Sequence, residues 1–241
     1  GKQLYYGWKI VAASIIILAV GLGMFHSTNS VFVKPVCDSL GFKRSEFTFH
    51  RTIITLTGML IVPFYGKTIS RYGVKRVLYT GAVMLGVVTA GYSFGNSLWH
   101  FYVLAFVYGL FYNAMNFMIV GILVSQWFED KRGLAIGLAY SGSGLGGMVA
   151  IPMISRVIEA AGWRSGYAFM GILGMAILLP VIWFIKETPA EIGLKPYRDP
   201  GRGIESVRER EEDGFGLTLR ESLGTGTFWF LTIGFFFISV F

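Results

Sequence analysis

Charge is what this sequence has least of. Only 15% of its 241 residues are Asp, Glu, Lys or Arg, where soluble domains carry about a quarter. Acids are scarcest inside the long apolar runs: none lies deep in one, and Glu46 and Glu159 sit at run ends. A single cysteine, Cys37, excludes an internal disulfide and a cysteine metal site. There is no Walker loop, no zinc spacing and no nucleophile elbow, so neither enzyme chemistry nor a cofactor is expected. Gly142-Ser-Gly144-Leu-Gly-Gly147 has the spacing of a dinucleotide loop, but it lies mid-run with no preceding strand, and that reading is rejected. A cleavable signal is excluded too. The first apolar run, about Trp8 to Val33, is longer than an h-region of about 7–15 residues.

What is abundant is hydrocarbon. The chain is 54% hydrophobic, with a mean hydropathy of +0.58, which marks an integral membrane protein. A membrane core of about 30 Å needs about 20 apolar residues as helix. Six runs qualify: Trp8–Val33, Ser45–Ile69, Val74–Phe94, Leu98–Phe128, Arg132–Ala160 and Arg164–Ile185. A seventh starts near Thr227, and the chain stops inside it at Phe241. The runs are continuous, without period-two alternation, so they predict helices and not strands. The predicted fold class is all-α, a polytopic membrane protein.

The net charge of +7 sits in the gaps between runs, as helix flanks facing anionic lipid and not as a nucleic-acid surface. The densest gap is Gly66–Arg76, read as a basic hairpin. It holds Lys67, Arg71, Lys75 and Arg76 and no acid. Lys and Arg resist crossing a bilayer, so this gap predicts a cytoplasmic turn and a cytoplasmic N-terminus. Residues 187–222 are the one polar stretch, predicted as a mobile cytoplasmic loop, with a capping box at Thr218-Leu-Arg-Glu221. The expected organisation is a six-helix bundle over 1–186, that loop over 187–222, and the start of a second bundle over 223–241. The chain begins at Gly1 and stops in an apolar run, so we expect part of a longer protein with a second half.

Several residues inside the runs invite a functional reading. Lys34 is either a snorkelling interfacial cation or an anion site in a cavity. His26 precedes it by eight residues, and positions 26, 30 and 34 share a face if the helix is regular. Asn29 lies between them. Arg51, beside His50 in the second turn of its run, is costly in lipid and is either a snorkelling or a site cation. Tyr112, Asn113 and Asn116 can bind a ligand or bond between helices. Small residues recur at Gly133 and Gly137, and again at Gly142 and Gly146, which predicts close helix packing and a contact that rocks.

The hairpin resembles the helix 2–3 signature of the major facilitator superfamily, with Gly66, Arg71, Gly73, Lys75 and Arg76 matching and Ser70 standing where the family has Asp. Four more stretches resemble its monocarboxylate porter and oxalate/formate antiporter branches. They are Val31-Phe-Val-Lys34-Pro35, Trp127-Phe-Glu-Asp-Lys131-Arg132-Gly, Gly162-Trp163-Arg164, and Glu187-Thr-Pro189-Ala-Glu191-Ile-Gly193 with the later Phe228-Trp229. The resemblance implies the N-terminal six-helix bundle of a twelve-helix transporter with alternating access, in the cell membrane, carrying small carboxylate anions with a proton. Lys34 falls on the lysine that monocarboxylate porters use, and Ser30 stands where a tyrosine is common. Lys34, Arg51, Asn29, Asn113, Asn116 and Tyr112 become substrate-site candidates and His26 the candidate for proton coupling. Gly66, Ser70, Arg71, Gly73, Lys75 and Arg76 become a conformational latch, weakened by Ser70. Anion exchange is the nearest rival reading. A membrane sensor on the same scaffold is the rival of another class.

Overall fold

The computed structural model describes residues 5–198, 224–230 and 234. Contacts divide the chain into two compact units, Gly1–Arg198 and Asp199–Phe241. In the second unit, residues 226–230 are helical. The Thr218–Glu221 capping box and most of the expected seventh helix lie outside the described residues.

The first unit is a bundle of α1 (Tyr6–Leu18), α2 (Asn29–Leu40), α3 (Arg44–Tyr72), α4 (Val74–Gly91), α5 (Leu98–Tyr112), α6 (Phe117–Trp127) and α7 (Arg132–Phe184). Among the described residues the one β feature is an isolated bridge between Phe128 and Tyr197. In lipid no water satisfies a free backbone group, so long apolar runs become helices and ends need partners. Gly41, at φ 70°, ends α2 by donating its N–H to Cys37 O at 2.9 Å. The Glu46 carboxylate then accepts the Lys43 N–H at 3.3 Å and opens α3.

Five helical stretches are long and apolar enough to cross a membrane: Tyr6–Leu40, Arg44–Tyr72, Val74–Phe94, Leu98–Trp127 and Arg132–Phe184. The last has 53 residues, and Gly162 (φ 80°, ψ 166°) is non-helical within it. A straight helix of that length would span roughly 80 Å, so Gly162 divides two crossings, 132–161 and 163–184. The six expected spans are thus present, the fifth and sixth joined by one residue.

The same economy holds at the expected basic hairpin. Helix α3 continues through Tyr72, and Gly73 (φ 82°, ψ 161°) is the only residue between α3 and α4. Residues 66–72 are therefore helix and not loop. Residues 187–198 also differ from the expected mobile loop. They fold back on the bundle: Tyr197 N–H donates to Trp127 O at 2.8 Å, and the Tyr5 hydroxyl donates to Lys195 O at 2.8 Å. The physical reason is local. Thr188 and Glu191 form a capping box around a short 3-10 turn, Pro189–Ile192, whose Pro189 is buried.

Three helix pairings build the core. The 132–161 arm lies along α1, α4 lies along the 163–184 arm, and α3 lies along α5. Glycines set the spacing. A Cβ at Gly142 or Gly146 would strike the backbone of Ile15 or Ala19, and a Cβ at Gly23 would come within 2.6 Å of Gly146 Cα. Gly171 meets Gly86 O and Ala90 in the second pair, and Gly109 meets Ile54 and Thr57 in the third. Such close approach supplies the dispersion that holds helices together in lipid. Gly133 and Gly137 behave differently: nothing lies within 4 Å of a Cβ at either, so small size there serves no packing contact among the described residues.

Candidate functional site

Two of the crossings are broken midway, and the breaks face each other. The first crossing leaves α-geometry at a π-helical turn, Ala19–Met24, followed by turns over 25–28. The fourth breaks at a 3-10 turn, Asn113–Met115, and Asn116 is extended (φ −100°, ψ 168°). Gly21 lies against Met115, whose Cβ would stand 2.7 Å from a Cβ there. The His26 ring stacks on Tyr112 at 5.2 Å and 30°, and Tyr112 stacks on Tyr108 at 6.1 Å and 22°.

Polar side chains at each break hold backbone groups of the break or of the helix beside it. Ser27 Oγ donates to Leu22 O at 3.2 Å and Thr28 Oγ1 to Met24 O at 2.6 Å. Asn29 Nδ2 donates to Phe25 O and His26 O at 3.2 and 3.3 Å. Tyr108 Oη adds a bond to Phe25 O at 3.2 Å from the facing helix. In the other break, Asn116 Oδ1 accepts the Phe117 N–H at 2.7 Å and caps α6. Asn116 Nδ2 donates to Asn113 Oδ1 at 3.3 Å, and Asn113 Nδ2 donates to Gly58 O at 2.9 Å. The three asparagines read as ligand candidates therefore have their amides engaged in holding backbone.

This leaves a short set of polar groups with free valence. Among the described residues Lys34 and Arg51 form no hydrogen bond or ion pair, and both are exposed. His26 and Tyr112 are half-buried, and the two rings touch. The Arg51 guanidinium is near enough to act electrostatically on both of them. The stacked His26 and Tyr112 rings thus lie at the junction of the two broken crossings, with Arg51 within electrostatic range of them. The turn at 25–28 removes the helical register that put positions 26, 30 and 34 on one face. Ser30 and Lys34 share an exposed face of α2, and His26 belongs to the break below it. His50 is elsewhere, 2% exposed and packed against Phe47 and Tyr92.

At the Gly73 turn, Ser70 Oγ donates to Gly66 O at 2.9 Å within α3, and Arg71 lies over the Tyr72 ring at 5.3 Å. The acid at this turn comes from far along the chain. The Glu187 carboxylate accepts the Lys75 N–H at 2.9 Å, an anion at the N-terminus of α4. Lys75 Nζ donates to Trp183 O at 2.7 Å and Ile185 O at 2.9 Å. Glu187 was invisible as a partner in sequence. The one signal is an acid two residues after the end of the sixth apolar run. No group of three or more His, Cys, Asp or Glu able to hold a metal occurs among the described residues.

Comparison with known proteins adds relatives to this geometry. A family model described as the Major Facilitator Superfamily matches residues 8–241. The oxalate:formate antiporter of Oxalobacter formigenes is 27% identical, over 96% of this chain and 52% of its own length. The membrane sensor protein UhpC of Salmonella typhimurium is 24% identical, over 87% of this chain and 48% of its own. Human monocarboxylate transporter 11 is 22% identical, over 73% of this chain and 39% of its own. The chain spans about half the length of the curated relatives it matches.

Proposed function

This chain belongs to the major facilitator superfamily, and on that premise we propose that the whole protein is a secondary transporter of small carboxylate anions, coupled to a proton and working by alternating access. The observation that carries the reading is the junction of the two broken crossings, where His26 stacks on Tyr112 and Arg51 acts on both through space. Discontinuous helices near the bilayer midplane are where transporters of this kind place their sites. A guanidinium offers a planar fork that matches a carboxylate, and a phenolic hydroxyl beside it supplies a further donor. Lys34, on the exposed face of α2, raises the local concentration of anions without needing contact.

Proton coupling follows from the same neighbours. A carboxylate held by Arg51 beside His26 makes protonation of the imidazole more favourable than in the empty site. By linkage the proton then strengthens carboxylate binding by the same factor. In this reading Asn29, Asn113 and Asn116 keep the broken helices in shape, and the contact of Gly142 and Gly146 with α1 is the seam on which the bundle rocks. The Gly66–Arg76 segment with Ser70 acts as the latch at the end expected to be cytoplasmic, with the N-terminus on that side and the cell membrane as the location. The names of the oxalate:formate antiporter and the monocarboxylate transporter support a small organic anion as cargo.

The test is uptake of radiolabelled lactate, pyruvate, formate and oxalate by the full-length protein in liposomes, with and without a pH gradient. Uptake that rises with inward-directed protons supports the symport reading. Uptake that requires counter-anion inside and ignores the gradient supports exchange. Arg51→Gln is expected to lower transport by about tenfold to a hundredfold, the worth of a hydrogen bond to a charged group. No uptake of any carboxylate overturns the proposal. The similarity to UhpC supports a second reading, a membrane sensor, which predicts carboxylate binding without net flux.

A further inference from the structure

We propose that the groove between α3, α4 and α5 at the Gly73 end of the bundle is a binding site for one anionic phospholipid, its acyl chain in the groove and its phosphate on Arg71 and Arg76. The groove is a cavity of about 270 Å³ whose lining includes Ile61, Phe64 and Thr68 of α3, Val77 and Thr80 of α4, and Leu110 of α5. Its walls are chiefly apolar, its two threonine hydroxyls are turned back on their own helices, and the Tyr65 hydroxyl donates across to Leu110 O at 2.8 Å. Thr68 Oγ1 donates to Phe64 O at 2.9 Å and Thr80 Oγ1 to Arg76 O at 3.0 Å. From Ile61 to Thr68 the groove runs roughly 10 Å along α3, within the depth of one leaflet, about half of a 30 Å core. An apolar slot of this kind between membrane-spanning helices suits hydrocarbon.

Charge at the groove mouth selects the headgroup. Residues three and four apart share a helix face. Arg71 therefore continues the Thr68 stripe of α3 by one turn towards Gly73, and Arg76 continues the Thr80 stripe of α4 by one turn the same way. Both guanidiniums are exposed, and neither forms an ion pair among the described residues. Lys67 is exposed one turn from Arg71. The other charges nearby are already committed: Lys75 Nζ to Trp183 O and Ile185 O, and the Glu187 carboxylate to the Lys75 N–H. Between Gly66 and Arg76 there is no acid to offset the cations. Two guanidiniums without an ion pair among the described residues, Arg71 resting on the Tyr72 ring, suit a phosphodiester with a tail, and basic pockets between membrane helices take anionic headgroups for this reason. The groove reaches Phe111 and Ala114 at the fourth-crossing break, but none of Arg51, His26 and Tyr112 lines it, and the site stands whether or not the protein carries carboxylates.

The experiment is native mass spectrometry of the full-length protein released from nanodiscs of equal phosphatidylglycerol and phosphatidylcholine. One retained phosphatidylglycerol, enriched about thirtyfold over phosphatidylcholine, is expected from two nearby Arg charges. Arg71→Gln/Arg76→Gln is expected to abolish the enrichment, and Arg71→Lys/Arg76→Lys to keep most of it. Thr68→Trp fills the groove and keeps every charge, and it too is expected to lose the retained lipid. Leu110→Phe repeats that test if Thr68→Trp does not fold. Equal retention of the two lipids by the wild type overturns the proposal, as does unchanged enrichment in the Gln pair. Enrichment that survives groove filling overturns it in favour of a diffuse surface charge. Stabilisation by millimolar inorganic phosphate equal to that by phosphatidylglycerol overturns the lipid as occupant.

Discussion

The turns at Gly73 and Gly162 are built alike and guarded differently. Each joins two crossings with a single glycine at φ near 80° and ψ near 160°. Each is followed by an apolar residue and a cation, Val74-Lys75 or Trp163-Arg164. Each cation reaches across to the end of the other turn's helix. Lys75 donates to Trp183 O and Ile185 O at the end of α7. Arg164 donates through Nη1 to Ser93 O and Gly95 O at 2.8 and 3.1 Å, past the end of α4. So α4 and the 163–184 arm, which pack together, each close the other's C-terminal carbonyls with a first-turn cation. The helix pairings and the two mid-span breaks obey the same exchange of first, second and third crossings for fourth, fifth and sixth. That is the pattern of an inverted repeat. The difference lies in the acid. Glu187 seals the Gly73 turn, whereas the Gly162 turn has the Asn96 amide oxygen, 2.7 Å from Arg164 Nη2, and the Trp163 ring beneath the guanidinium at 4.3 Å.

Substitutions at the two glycines test this contrast most strongly. The shared backbone conformation is close to glycine-only and costs other residues about 1–3 kcal/mol. Gly162→Ala should lose about that much, because nothing lies within 4 Å of the added methyl. Gly73→Ala should lose more, because its Cβ would stand 2.7 Å from Glu187 Oε2 and expel the carboxylate from the α4 N-terminus. Thermal unfolding of the full-length protein in detergent reads both, and equal losses would break the contrast.

Next in size are the two cations. Arg164→Ala removes three hydrogen bonds and the cover of Trp163, and should cost about 1.5–3 kcal/mol. Lys75→Met keeps the aliphatic stem and removes two bonds, and should cost about 1–2 kcal/mol. The residues sit at opposite ends of α4, roughly 27 Å apart, so the double variant should be additive. Strong coupling between them would show that the clamps act as one unit. The smallest effect is expected from Glu187→Gln. It retains an acceptor for the Lys75 N–H and loses only the anion–dipole interaction, about 0.3–1 kcal/mol. A loss as large as that of Gly73→Ala would mean that the charge itself, and not the seat, guards the turn.

Much of this bundle was legible in advance, and its site much less so. Hydropathy located six crossings because about 20 apolar residues in lipid have no alternative to helix. It failed inside the crossings. The break at 25–28 hid in an apolar run, although Gly21, Gly23 and the polar run Ser27-Thr28-Asn29-Ser30 lie within it. The pair Asn113 and Asn116 was visible as a pair, but not as the cap of a broken helix. Reading 26, 30 and 34 as one face assumed a regular helix, and the break removed that assumption. The charges of segment 66–76 suggest a loop, yet long cationic side chains can leave a helix for the interface without bending it.

The sequence by itself determined the membrane, the helices and their number. Those depend on hydrocarbon length and on the cost of an unpaired backbone group, both of which are local. Tertiary structure alone decided which polar groups are available. Tyr108 takes Phe25 O, Asn113 takes Gly58 O, and Glu187 takes the Lys75 N–H, each partner coming from another part of the chain. A donor's role in lipid is set by whichever carbonyl stands opposite it, and only the packed bundle brings the two together. That is why Arg51, His26 and Tyr112 are left as the candidate site while the amides of the three asparagines are engaged in holding backbone.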